Sequence, residues 1–252
     1  MTAPFAPNHP GARVRPSPNH GPRKNGLGCE MLLLHYTGMK TGEAAEDRLC
    51  DPSAEVSSHY LVHENGEIVQ LVPEHLRAWH AGRGSWHGVE DVNSQSIGIE
   101  VVNPGHEIGY RRFPARQIDA LIDLCRGILG RWPIRPDMVL GHSDVSPGRK
   151  VDPGELFPWT VLARAGIGHY RPAAPITDGP ALRLGNSGEA VAALQTLLAE
   201  YGYGVEATGV YDARTETVVA AFQRHFRRAK VDGVADMSTV ETLKRLLSSR
   251  RA

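Results

Sequence analysis

Two histidines in this sequence stand where apolar runs stop. His35 closes Met31-Leu32-Leu33-Leu34 and is followed at once by Tyr36-Thr37-Gly38, while His142 follows Met138-Val139-Leu140-Gly141 and opens a loop that runs to Gly154. Strand ends that open into loops are common positions for reactive groups. Asp152 lies in the loop after His142. Two imidazoles and a carboxylate supply three N/O ligands to a zinc ion and leave a fourth position for water, whose pKa falls to about 7 on binding. A hydrolase of this kind also needs a base for the water proton and a cation for the oxyanion. Glu100 interrupts the apolar run Ile97-Gly98-Ile99-Glu100-Val101-Val102, and strand alternation puts it with Gly98 on the face opposite Ile97, Ile99 and Val101. Lys150 lies two positions before Asp152, so an extended loop points both side chains the same way. On spacing alone a plainer reading stands ahead of the metal site: two buried histidines, an ordinary loop aspartate and a solvated lysine. His9, His20, His75, His106, His169 and His225 lack an acidic or metal-type pattern around them and read as surface or packing residues.

The segments that must position these groups are short strands mixed with one long helix. Besides the runs ending at His35 and His142, Ser58–His63 and Ile68–Val72 flank Asn65-Gly66, a strong hairpin signal. Ser96–Val102 reads as a further strand. Ala115–Leu129 places Ile118, Leu121, Ile122, Cys125, Ile128 and Leu129 on one helical face. Strands mixed with helices over about 140 residues predict one α/β domain, at 29–170, with a mixed central sheet flanked by helices.

Residues 1–28 carry many prolines and few aliphatic residues. They predict an extended arm lying over the domain or partly disordered, without chemistry of its own. No apolar stretch there matches a secretory signal, so the expected compartment is the cytoplasm, with periplasmic or non-classical export as the alternative. The longest apolar candidate, Met31–Leu34, falls far short of the roughly 18 residues that span a bilayer, which excludes membrane insertion. With 28 Lys+Arg against 28 Asp+Glu the net charge is zero, which argues against nucleic acid as a partner. Three scattered cysteines build neither a disulfide framework nor a cysteine zinc site, and fit a reducing compartment.

Residues 171–181, RPAAPITDGPA, read as a linker. Beyond it, 182–252 carries three amphipathic segments, at Ser187–Tyr201, Asp212–Arg227 and Asp236–Leu247, which predict a small three-helix domain. The phrases Gly209-Val210-Tyr211-Asp212 and Gly233-Val234-Ala235-Asp236 repeat, each placing an aspartate to cap a helix. Tyr201, Tyr203 and Tyr211 serve equally well as sugar-stacking rings or as filling for a small core.

Five motifs in register, LLLHYTG (32–38), SSHYLVHENGEIVQLVPE (57–74), AWHAG (78–82), NSQSIGIEVVN (93–103) and GHSDVSPGRKVDPGELFPW (141–159), make residues 31–159 resemble the zinc-dependent N-acetylmuramoyl-L-alanine amidases of type 2, relatives of the peptidoglycan recognition proteins. Residues 182–247 resemble the type-1 peptidoglycan-binding domain. The resemblance implies Zn2+ held by His35, His142 and Asp152, with Glu100 as base and Lys150 steadying the tetrahedral intermediate. It implies a place near the metal for Tyr60 and substrate-groove positions for Trp79, His80, Ala81 and Asn93. The reaction implied is hydrolysis of the amide between the lactyl group of (anhydro-)N-acetylmuramic acid and L-alanine, on peptidoglycan or soluble muropeptide. The alternative is a non-catalytic peptidoglycan-binding or sensing protein, which has no physical need to keep all five chemical residues together.

Overall fold

The computed structural model describes residues 5–24 and 28–250; the arm's residues 1–4 and 25–27 lie outside the described residues. The strands are β1 (Arg13–Val14), β2 (His20–Pro22), β3 (Met31–Tyr36), β4 (Tyr60–Val62), β5 (Ile68–Gln70), β6 (Leu76–Ala78), β7 (Ser96–Val101) and β8 (Val139–Gly141). The helices are α1 (Gly42–Cys50), α2 (Val92–Gln95), α3 (Gly105–Ile108), α4 (Ala115–Arg131), α5 (His142–Val145), α6 (Trp159–Arg164), α7 (Glu189–Tyr201), α8 (Ala213–Phe226) and α9 (Met237–Arg250). The sheet runs β1-β5-β4-β7-β3-β8, parallel except for the β4–β5 hairpin. This is the expected mixed α/β architecture.

The apolar run of β3 is central because both of its faces are covered, the usual fate of a continuous apolar strand in a parallel sheet. One face packs on α4 through Ile118, Leu121, Leu124, Cys125 and Ile128. Pro133 follows directly on Trp132, the residue that caps α4, and helps to end it there. On the opposite side of the sheet, beside β4 and β5, Ala45 and Leu49 of α1 build a smaller cluster with Leu61, Val69, Leu71 and Val102. That thinner cover leaves a cavity of about 520 Å³ on this side, reached by the carboxyl ends of β3 and β7. Parallel sheets usually offer their ligand crevice at those ends.

The N-terminal arm is part of this architecture. β1 finishes the sheet edge against β5, and β2 pairs with β6. Arg23 reaches inward to the carbonyls of Glu74, Ser94 and Ser96. A two-residue strand is too short for composition or alternation to reveal it.

In the C-terminal domain the repeated phrase does what its aspartates predict. Asp212 accepts from the Thr215 amide at 2.8 Å and Asp236 from the Thr239 amide at 2.8 Å, opening α8 and α9. Tyr201, Tyr203 and Tyr211 are buried, so their rings fill the core and none presents a face to a glycan.

Tyr60 corrects the expectation that it lies near the metal. β4 and β7 pair in parallel with Leu61 opposite Glu100, so Tyr60 shares the opposite face with Ile99. Its hydroxyl donates to Glu74 at 2.7 Å, on the α4 side of the sheet. Glu74 is buried, and Arg131 and the Trp132 indole fill its remaining acceptor sites. Burial alone would raise the Glu74 carboxyl, but Arg131, Tyr60 and Trp132 outweigh it and hold it below its ordinary value of 4.5. Glu74→Ala strands these donors and should destabilise by about 3 to 5 kcal/mol, roughly 10 °C in Tm for a chain this long. Because the folded carboxyl is depressed, its stabilisation is complete above pH 4.5 and is lost as pH falls through the folded value. Melting of wild type and Glu74→Gln should therefore differ most at pH 7, and the gap should narrow as pH falls below 4.5; a gap that stays constant would contradict this.

Candidate metal centre and active site

Register brings the reactive groups together. β3 and β7 pair with His35 opposite Glu100, and β8 lies on the other side of β3 with Leu34 opposite Gly141. His142 is the first residue of α5, directly after β8. His35 Nδ1 lies 2.9 Å from His142 Nδ1 and 3.1 Å from Asp152 Oδ2, and His142 Nδ1 is 3.0 Å from the same oxygen. All three residues are buried.

The surrounding hydrogen bonds assign the protons on both rings. Ser96 Oγ donates to the Val92 carbonyl at 2.6 Å, so it accepts from His80 Nε2 at 3.2 Å. His80 Nδ1 is then bare and accepts from His35 Nε2 at 3.0 Å, which leaves His35 Nδ1 as a lone pair. His142 Nε2 donates to the Ala81 carbonyl at 2.8 Å, which leaves its Nδ1 bare as well. Burial, followed by the neighbouring His142, lowers His35 to about 4, so its ring is neutral near pH 7. Three acceptor atoms therefore converge at about 3 Å with no proton between them. Such an arrangement is repulsive unless a cation sits among them. A tetrahedral zinc with bonds of 2.0–2.1 Å would want ligand atoms about 3.3 Å apart, close to these separations. The donor set fits a metal ion, and outer hydrogen bonds orient both imidazoles as metal-ligating histidines require.

Glu100 and Lys150 line the same cavity. Glu100 Oε2 is covered and has no hydrogen-bond partner. Burial, and then the charge of Asp152, push the Glu100 carboxyl well above its ordinary value, against the pull of Lys150. A carboxyl placed this way is suited to carrying a proton.

The expected groove positions divide. Trp79 and His80 line the cavity, and His80 also orients His35. Gly98 makes room for it, since a Cβ there would lie 2.5 Å from the His80 ring. Ala81 and Asn93 stand behind the wall, which corrects their assignment to the groove. The Asn93 side-chain oxygen accepts from the amides of His80 and Ala81 at 3.1 and 2.8 Å, and so fixes the loop whose Ala81 carbonyl holds His142. Neither residue is among those that line the cavity.

Sequence reasoning missed a second wall. Tyr36 Oη meets His106 Nδ1 at 3.0 Å, and His106 stacks on Tyr110 with centroids 4.2 Å apart. Tyr36 and His106 line the cavity with Met39. His106 read as a surface residue because its partners come from distant segments. Arg149 was also missed: its guanidinium donates to the carbonyls of Ala81 and Arg83 and to Ser146 Oγ, tying the metal loop to the Trp79–Gly84 loop.

Comparisons with known proteins agree with this geometry. The sequence model for N-acetylmuramoyl-L-alanine amidase matches residues 25–155, and one for a peptidoglycan binding domain matches residues 187–243. The N-acetylmuramoyl-L-alanine amidase AmiD of Escherichia coli is 39% identical over 230 residues, covering 86% of this chain and 82% of AmiD. The 1,6-anhydro-N-acetylmuramyl-L-alanine amidase AmpD of Enterobacter cloacae is 33% identical over 59% of this chain and 87% of its own. Among solved structures, E. coli AmiD in complex with anhydro-N-acetylmuramic acid-L-Ala-D-gamma-Glu-L-Lys superposes with a TM-score of 0.75 at 37% identity, covering 93% of both chains. AmpDh3 of Pseudomonas aeruginosa, in complex with anhydromuramic pentapeptide, gives 0.73 at 31% identity over 94% of this chain and 96% of its own. With the family model covering more than half of its length, the chain belongs to the N-acetylmuramoyl-L-alanine amidase family.

Proposed function

We propose that this protein is a zinc-dependent amidase that hydrolyses the bond between the lactyl carbonyl of (anhydro-)N-acetylmuramic acid and the L-alanine nitrogen of the stem peptide. The observation that carries the reading is the convergence of three unprotonated ligand atoms, from His35, His142 and Asp152, on the floor of a cavity that Glu100 and Lys150 also line. When bound, the zinc supplies Lewis acidity, polarising the carbonyl and making water acidic enough to attack near pH 7.

The chain's own residues do the rest. Glu100 takes a proton from the attacking water and returns it to the alanine nitrogen as the C–N bond breaks, so the products are a lactyl carboxylate and a free amine. The Lys150 ammonium offsets the negative charge that grows on the carbonyl oxygen. Trp79 and the Tyr36–His106 wall offer ring faces that hold the muropeptide beside these groups and exclude water.

Zinc-loaded protein, assayed by mass spectrometry with and without a chelator, should release free stem peptide from soluble anhydro-muropeptide, and release should stop when the metal is stripped. Intact sacculi tested in parallel separate a recycling enzyme from one that works on the polymer. No release from either substrate would refute the amidase reading. As to location, no helix among the described residues is long and apolar enough to cross a membrane.

A further inference from the structure

Asp144 is fully buried, two residues after His142 in the same short helix. A buried carboxylate is tolerated only when donors fill its lone pairs. Oδ2 accepts from the Gly141 amide at 2.8 Å and from His225 Nδ1 at 2.8 Å, and Oδ1 from the Tyr203 hydroxyl at 2.7 Å. Only the first donor belongs to the catalytic domain; the other two come from the C-terminal domain, 59 and 81 residues further along the chain.

Both of those donors are held rigidly. The His225 ring stacks on Trp159 at 3.7 Å and on Phe226 at 3.8 Å. Tyr203 packs edge-on against the fully buried Trp86 at 4.8 Å. Asp144 in turn bonds the amide directly before His142, and the Ser143 amide donates to the Asp152 carbonyl at 2.9 Å. The short helix that carries His142 and backs Asp152 is thus clamped from the C-terminal side.

We propose that the C-terminal domain is a working part of the metal site, in which Tyr203 and His225 are positioning residues that act through Asp144 on the backbone of His142 and Asp152. The inference rests on the amidase reading above. A domain joined only by a flexible linker would raise local substrate concentration and leave the metal untouched. Here its removal would strip Asp144 of two of its three donors.

The test uses full-length point variants, with zinc affinity measured by competition against a chelating dye and kcat and KM measured on soluble muropeptide. Tyr203→Phe deletes one oxygen and keeps the ring on Trp86; His225→Phe keeps the stack and deletes the donor. Each should weaken zinc binding about tenfold, within the range known for outer partners of metal ligands, and lower kcat to a similar extent with KM within about twofold. His225→Asn, which restores an N–H near the Nδ1 position, should recover part of the loss. Arg250→Ala removes a different contact between the domains, the 3.0 Å ion pair with Asp137, and should lower Tm while leaving zinc affinity unchanged. Zinc affinity and kcat within twofold of wild type in both phenylalanine variants would overturn the proposal, as would an equal loss in Arg250→Ala. If His225→Phe fails to fold, Tyr203→Phe decides alone. Wild type that binds zinc but releases no peptide would sink the amidase reading and leave the affinity comparison standing.

Discussion

Asp152→Ala is expected to lose its metal and its turnover together. Asp152 supplies the only carboxylate among the three converging donors, and its removal leaves two imidazoles with Nδ1 atoms 2.9 Å apart. The loss in metal affinity should exceed the roughly 10- to 100-fold that follows removal of an outer hydrogen-bond partner, because a ligand itself is gone. Turnover should fall by roughly four orders of magnitude or more, since attacking water then keeps a pKa near 15.7. Elemental analysis of purified protein beside the peptide-release assay checks both at once. A variant that retains one equivalent of zinc would show that Asp152 is not a ligand.

Glu100→Gln should give the complementary result, full metal content with turnover reduced by about 10²- to 10⁴-fold, the usual contribution of a positioned proton carrier. Glutamine keeps the shape of the side chain and cannot pass a proton. Glu100 is not part of the donor group that holds the metal, and its Oε2 is free of protein partners. The two variants together separate ligand from base. If Glu100→Gln stripped the metal, the roles assigned to Glu100 and Asp152 would have to be redrawn.

How much of this was legible in the sequence depended on whether a signal was local. The strands ending at His35 and before His142, the Asn65-Gly66 hairpin and the amphipathic face of α4 all announce themselves within a few residues. The facing of Tyr60 does not. The residues of β4 are buried on both faces, so hydrophobicity cannot fix which parity points where, and only the pairing of Leu61 with Glu100 settles it. Ala81 and Asn93 occur in a motif beside Trp79 and His80, yet a motif does not separate residues that touch a ligand from those that brace the loop. The proton assignment of His35 depends on Ser96 and Val92, and that of His142 on the Ala81 carbonyl, none of which a spacing rule ties to the two rings. The C-terminal tyrosines were ambiguous for a related reason: the same ring suits a glycan, a core or a domain interface, and only burial distinguishes them.

Sheet order also sets a timetable for synthesis. β3 pairs with β7 and β8, and His35 and His142 are 107 residues apart in the chain. At about 5 to 20 residues per second, the apolar segment Met31–Leu34 waits roughly 5 to 20 s for its later neighbour to leave the ribosome. Until β7 emerges the strand is unpaired, and until β8 follows one of its edges stays open, an aggregation-prone state that suits a chaperone. A chain interrupted before Asp152 carries at most two of the three converging donors, so the candidate metal centre cannot be complete until well past the middle of the sequence.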